Sequence, residues 1–138
     1  MKTIKSIFTV LVIAVMAIAV MSMTSSKAPK NKPWDIPAKY KDMASAVKTS
    51  AASVQAGEAL YKKNCASCHG KTGLGDGAKA KTLDTFPGDF SSADFQGQTD
   101  GTLFYQTKTG RSDMPKYDKK IEDTDIWNII NYLRTLKK

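Results

Sequence analysis

The sequence predicts an all-α domain of about three main helices, joined by long loops that wrap one bound group. Three observations predict it. Apolar residues recur at helical spacing in three segments, each with its own capping residues, and almost nothing alternates with the two-residue period of a strand. The stretch between the first and second helices, residues 70–99, is glycine-rich and contains Pro87, so it reads as an extended loop. A loop of that length is uncommon in a compact domain and requires something to order it. Finally, 138 residues allow one modest core and no more.

At the amino end Lys2 and Lys5 precede an apolar stretch from Ile7 to Met23, broken only by Thr9 and Ser22, and Ser25, Ser26, Lys27 and Ala28 follow. Residues 1–28 therefore read as an export signal, with cleavage after Ala28 or after Ala19. The apolar stretch is at the border between a long signal core and a short span, so an uncleaved anchor through residues 7–23 is the alternative. Either reading places the domain outside the cytoplasm, in the periplasm, and possible tethering to the inner membrane follows only from the second. Residues 29–52, with prolines at 29, 33 and 37, form a linker or wrapping extension. Its Trp34, Ile36, Tyr40 and Met43 are expected to pack as a belt on the outside of the domain, which occupies residues 53–138.

Within the domain, Ser53 can cap a helix from about Val54 to Asn64, with Val54, Gly57, Leu60 and Tyr61 on one face. A glycine on that face costs about 1 kcal/mol against alanine, which points to a close approach of another element. The second helix runs from about Asp100 to Lys108, capped by Thr99 or Asp100 and closed by Gly110, with Leu103 and Phe104 inward. The third carries Ile126, Ile129, Ile130, Leu133 and Leu136 on one stripe. Acidic residues lie at its start and Lys137 and Lys138 at its end, as the helix dipole favours. Ile121 and Ile126 are spaced as a hydrophobic staple.

The formal charge is +8, and without Lys2, Lys5 and Lys27 it is +5. That balance favours acidic partners, with a scattered solvated surface as the alternative. Nucleic acid is disfavoured, because the lysines spread from Lys30 to Lys138 without a dense basic run or an aromatic stacking platform.

The end of the first helix carries Cys65, Ala66, Ser67, Cys68 and His69, a CxxCH motif. Two thiols three residues apart lie on one side of a helical turn and can each bond a vinyl carbon of one porphyrin, while the adjacent imidazole meets the iron. This is covalent haem c attachment, and it supplies the group that the long loop must enclose. Four rivals fit less well. A redox dithiol would need a βαβ setting; a zinc ion would need ligands beyond the two cysteines and the one histidine of the chain. A disulfide across so short a loop would be strained, and a catalytic Cys–His pair could not act from neighbouring positions. The single histidine also excludes multi-histidine metal centres, two-histidine iron and multi-haem arrays.

Outside the leader only Met43 and Met114 are soft donors for the second face of the iron, and Met43 lies in the extension. Met114, in the irregular run from Gly110 to Pro115, is therefore read as the sixth ligand; a gap-filling core methionine, or an iron left vacant or bound by lysine, are the alternatives.

Over residues 53–136 the chain resembles the class I c-type cytochromes, the small bacterial monohaem cytochrome c family. The resemblance rests on Gly57, Tyr61 and Cys65 at intervals of four, on CASCH, on Met114–Pro115, and on the final helix with Ile129, Ile130, Asn131, Tyr132 and Leu133. It implies the cytochrome c fold, with Gly57 and Tyr61 of the first helix crossing the last helix at Tyr132. It also implies a loop carbonyl, from a residue between Ala78 and Gly88, bonded to the proximal imidazole.

An iron held on both faces has no position for substrate, so the expected function is electron transfer by one low-spin His69/Met114 haem c between respiratory partners, rather than catalysis. A haem c subunit or docked domain of a membrane respiratory complex is the first alternative; a ligand-binding or peroxidatic haem protein is the second. Lys62, Lys63, Lys71, Lys79, Lys81, Lys108, Lys116, Lys119 and Lys120 flank the motif, the loop and the methionine segment, and are expected to steer a redox partner with an acidic docking surface. Arg111 is either a partner for a haem propionate or an exposed loop arginine. The protein is read as a monomer or a complex subunit.

Overall fold

The computed structural model describes residues 33–138. The expectations for residues 1–28, including the 7–23 stretch, and for the first residues of the extension lie outside the described residues.

Among the described residues the fold is all-α, with six helices, one 3-10 turn and no strand. In order they are α1 (Ala38–Lys41), α2 (Ala51–Asn64), α3 (Ala66–His69), the 3-10 turn Ala80–Thr82, α4 (Ala93–Gln96), α5 (Asp100–Thr109) and α6 (Asp123–Arg134). The three long helices α2, α5 and α6 are those that the periodicity predicts. Single turns such as α1, α3 and α4 are too short to leave a period in the sequence.

Helix α2 begins three residues earlier than expected. Ser50, not Ser53, is its cap: the Ser53 amide donates to Ser50 Oγ at 3.1 Å, and the Ser50 amide donates to Ser53 Oγ at 2.9 Å. The two serines satisfy one another's orphan donors, and this reciprocal pairing moves the start back to Ala51.

Where α2 crosses α6, a Cβ at Gly57 would lie 1.9 Å from the Asn128 carbonyl oxygen. The two backbones are in contact there, and only glycine permits it. One turn on, Tyr61 is fully buried, its ring 5.2 Å from that of Tyr132 and its hydroxyl donating to the Gly70 carbonyl at 2.6 Å. The apolar stripe of α6 completes the core through Ile126, Ile129, Ile130 and Leu133, all buried. Each contributes roughly 1.5–3 kcal/mol by leaving water. Ile121 and Ile126 are both buried at the staple positions, while Leu136 packs on the core from beyond the helix end.

Helix α5 starts and ends where expected: Thr99 Oγ1 accepts from the Thr102 amide at 3.2 Å, and Gly110 closes the helix at φ +60°. Its Phe104 stacks on Trp127 of α6 at 4.3 Å. Arg134, in the last turn of α6, donates to Asp100 Oδ1 and to the carbonyls of Gln96 and Gln98, fastening the start of α5 to the end of α6.

The extension wraps this frame. Tyr40 lies 4.8 Å from Tyr105 and 6.3 Å from Phe104, and Tyr40 and Met43 both pack against the core. Further on, Asn131 of α6 is buried and donates to the Val47 carbonyl and to Ser53 Oγ, while accepting from Thr49 Oγ1. One buried amide therefore joins the extension, α2 and α6. Among the described residues no helix is long and apolar enough to cross a membrane.

Candidate cofactor site

Helix α2 delivers Cys65 as its last capped residue, the amide donating to the Tyr61 carbonyl at 2.8 Å. The chain then makes the single turn α3, in which the amides of Cys68 and His69 both donate to the Cys65 carbonyl, at 3.1 and 2.9 Å. That turn sets the two cysteines three positions apart on one side. Both are free, partly buried thiols. Burial, with Cys68 adding to it, pushes the Cys65 thiol up to about 12. A redox dithiol needs the opposite, a depressed pKa in an electropositive setting. Among the described residues no group of three or more His, Cys, Asp or Glu could hold a metal ion, so the zinc reading has no ligand set there.

The loop after the motif folds back onto it. The amides of Gly75, Gly77 and Lys79 donate to the carbonyls of His69, Cys68 and Ser67, at 2.8, 3.2 and 2.8 Å. Carbonyls that the short turn leaves open are thereby satisfied.

The His69 ring stacks on Phe90 at 4.5 Å, and Phe90 in turn packs on Phe95 at 4.4 Å. Phe90 is held by its amide, which donates a hydrogen bond to the Gly73 carbonyl at 2.7 Å. Burial lowers the His69 pKa to about 4, with the Pro87 carbonyl opposing that shift, so the imidazole is neutral at pH 7. Neutral imidazole is the form that binds a metal. Its Nδ1 is buried, and no partner meets it at full hydrogen-bond geometry. Pro87 lies between Ala78 and Gly88, the stretch from which the resemblance implies a carbonyl bonded to the proximal imidazole.

Met114 arrives from a separate segment. The Arg111 and Met114 backbones bond reciprocally at 2.9 Å in each direction, closing a tight turn. Gly110 enters this turn with positive φ, and a Cβ there would lie 2.4 Å from the Pro115 carbonyl oxygen. Inside it, Ser112 adopts φ +51°, the one non-glycine residue with positive φ among the described residues. Two side chains fasten the turn to the region of the motif. Asp113 Oδ2 accepts from the amides of Asp84 and Thr85 and from Thr85 Oγ1, at 3.0 to 3.2 Å, binding the turn to the loop that continues into Pro87. Tyr117, three residues after Met114, is buried and donates to the Asn64 carbonyl at 2.8 Å. Burial, then Cys65 and Cys68, push its phenol up to about 12, and its bond to Asn64 ties it to the residue before Cys65.

Cys65, Cys68 and His69 are thus brought together on one turn, and the turn that holds Met114 is fastened to Asp84 and Thr85 through Asp113 and to Asn64 through Tyr117. Arg111, read from the sequence as a propionate partner or an exposed cation, has its guanidinium 4.2 Å above the Trp34 ring and donates to the Pro33 carbonyl at 3.2 Å. Tyr117, Asp113 and Phe90 were not legible as site residues. An aromatic isolated in the charged run from Lys116 to Lys120 is the one sequence signal that pointed to Tyr117.

A haem c needs two thiols a helical turn apart, a neutral axial base and an apolar, aromatic enclosure. The free cysteines, the largely buried neutral imidazole stacked on Phe90, and the buried Tyr117 bonded at Asn64 fit that need. Residues 52–133, more than half of the chain, match the family model described as cytochrome c oxidase, cbb3-type, subunit III. The chain belongs to the class I c-type cytochromes. This cytochrome is 31% identical over 86 residues to cytochrome c6 of Gracilaria tenuistipitata var. liui, covering 62% of this chain and 74% of that one. Among solved structures it is similar to the Kuenenia stuttgartiensis reducing HAO-like protein complex Kustc0457/Kustc0458, with a TM-score of 0.62 and 26% identity over 67% of this chain. It spans 47% of that neighbour's chain, about half its length. The c-type cytochrome KustC0563 shares its fold, with a TM-score of 0.53 and 24% identity, covering 59% of this chain and 98% of that one. As a member of this family, the cytochrome binds haem c covalently and serves haem-based electron transfer.

Proposed function

We propose that this cytochrome is an exported, periplasmic one-electron carrier whose single haem is attached through Cys65 and Cys68 and ligated by His69 and Met114. The observation that carries the reading is the two-point suspension of the Met114 turn, by Asp113 on the Asp84–Thr85 loop and by Tyr117 on the carbonyl of Asn64, the residue before Cys65. Met43, the other methionine outside the leader, packs against the core of the domain from the extension. The haem supplies the one-electron couple. The chain's own work is to keep His69 neutral, hold Met114 without a change of geometry between oxidation states, and exclude water. A thioether opposite an imidazole favours the ferrous state relative to two imidazoles.

Carbon monoxide tests the ligand assignment. Reduced wild-type protein is expected not to bind it, whereas reduced Met114→Ala binds it readily and loses the low-spin spectrum. Carbon monoxide binding by the reduced wild type would overturn the Met114 ligand and favour the ligand-binding alternative.

The second reading, a subunit of a respiratory complex, is favoured by the subunit III family match. It differs from a free shuttle in keeping residues 7–23 as a membrane tether, so the mass of the mature protein separates the two.

For partner docking, Lys62 pairs with Glu58 and Lys108 with Asp123, which takes them from the nine lysines expected to steer. Lys63, Lys71, Lys79, Lys81, Lys116, Lys119 and Lys120 are exposed and supply the positive field towards an acidic partner. The electron-transfer rate with that partner is expected to fall roughly tenfold between low and physiological ionic strength. A rate indifferent to salt would remove electrostatic steering.

A further inference from the structure

The extension does more than cover the domain. Its first described residues, Pro33 and Trp34, meet the Met114 turn through one side chain: Arg111 stacks on the Trp34 ring at 4.2 Å and donates to the Pro33 carbonyl at 3.2 Å. Arg111 is the backbone partner of Met114 in both directions. The same turn holds Ser112 in the left-handed region, a conformation that L residues adopt at a cost and keep only where their surroundings impose it. The turn is therefore gripped on two sides, by Asp113 on Asp84 and Thr85 and by Arg111 on the extension.

We infer that Trp34 and Arg111 are positioning residues for the axial methionine: the extension is a strap that holds the Met114 turn closed and so sets how readily the thioether is displaced. The inference rests on the ligand reading of Met114 given above. The strap acts through the Arg111 backbone, which bonds Met114 in both directions. An arginine over an indole is worth about 1 kcal/mol where partly exposed, which corresponds to roughly a fivefold change in an equilibrium.

The test is competition by added imidazole for the ferric, haem-loaded protein, read alongside the sulfur-to-iron charge-transfer band. Trp34→Ala is expected to bind imidazole about fivefold more tightly and to weaken that band. Trp34→Phe, which keeps a ring face beneath the guanidinium, should recover most of the wild-type affinity. Arg111→Ala should reproduce the change, and the double variant should add little to it, as for two groups sharing one contact. Helical circular dichroism and thermal midpoint identify any variant that simply unfolds.

Met114→Ala distinguishes the two levels of the reading. If it loses the band while Trp34→Ala matches wild type in both band and imidazole affinity, the strap inference fails and the ligand reading stands. If Met114→Ala keeps the band, the ligand reading fails and the strap inference falls with it.

Discussion

A chain carrying Cys65→Ala and Cys68→Ala is expected to emerge without covalent haem, to lose most of its helical circular dichroism and to show no cooperative thermal transition. The reason is the distribution of order. Helices α2, α5 and α6 supply an apolar core of their own, but the chain from Gly70 to Ser92 contains a single 3-10 turn as regular structure. Several of its contacts run to the motif or to the Met114 turn: the amides that bond the α3 carbonyls, Phe90 on the His69 ring, and the Asp84–Thr85 loop on Asp113. A domain this small is marginal without a staple, and binding a group that the unfolded chain cannot hold is itself folding free energy. Each single cysteine variant keeps one thioether and should keep its colour and most of its helix. A native-like helical spectrum in the double variant would show that the haem is a passenger.

The second large effect belongs to the helix crossing. Gly57→Val is expected to destabilise the haem-loaded protein by about 3 kcal/mol or more, because its Cβ would occupy a point 1.9 Å from the Asn128 carbonyl oxygen. Neither neighbour is a flexible side-chain end; two helix backbones must part, taking the Tyr61–Tyr132 contact with them. Helix propensity acts in the opposite sense but returns only ~1 kcal/mol even for alanine, too little to compensate. For a domain of this size the loss corresponds to a fall in Tm of roughly 12–24 °C. Gly97→Ala is the control. It closes α4 at φ −77°, and a Cβ there would meet only the Ala93 carbonyl at 3.2 Å, so its cost should stay below about 1 kcal/mol. Equal effects at the two glycines would refute the crossing as the seat of stability.

How far the sequence alone carries this reading follows from what leaves a periodic or chemical trace. α6 is legible because four buried apolar residues fall on one stripe, and Gly57 because a glycine on an inward face has a cost that only a close contact explains. The start of α2 is read three residues late, because Ser50 and Ser53 are equally good caps in isolation and only their mutual bonding chooses between them. The single turns α1, α3 and α4 fall below the length at which a period can be seen. In the site, Cys65, Cys68 and His69 announce themselves because one rigid ligand requires that spacing. The carbonyl for the proximal imidazole is confined by the resemblance to residues 78–88 but not chosen among them, because a carbonyl carries no side-chain signature. Tyr117, Asp113 and Trp34 are contacts across long separations in sequence, and each is set by where the loops close.

The central claim is that a tetrapyrrole is bonded through sulfur to Cys65 and Cys68. Treating the matured protein with acidified organic solvent tests it most directly. The colour is expected to remain in the protein precipitate, with the mass of the CASCH peptide raised by one haem. Colour that passes into the solvent, or a matured protein with no colour at all, would contradict it.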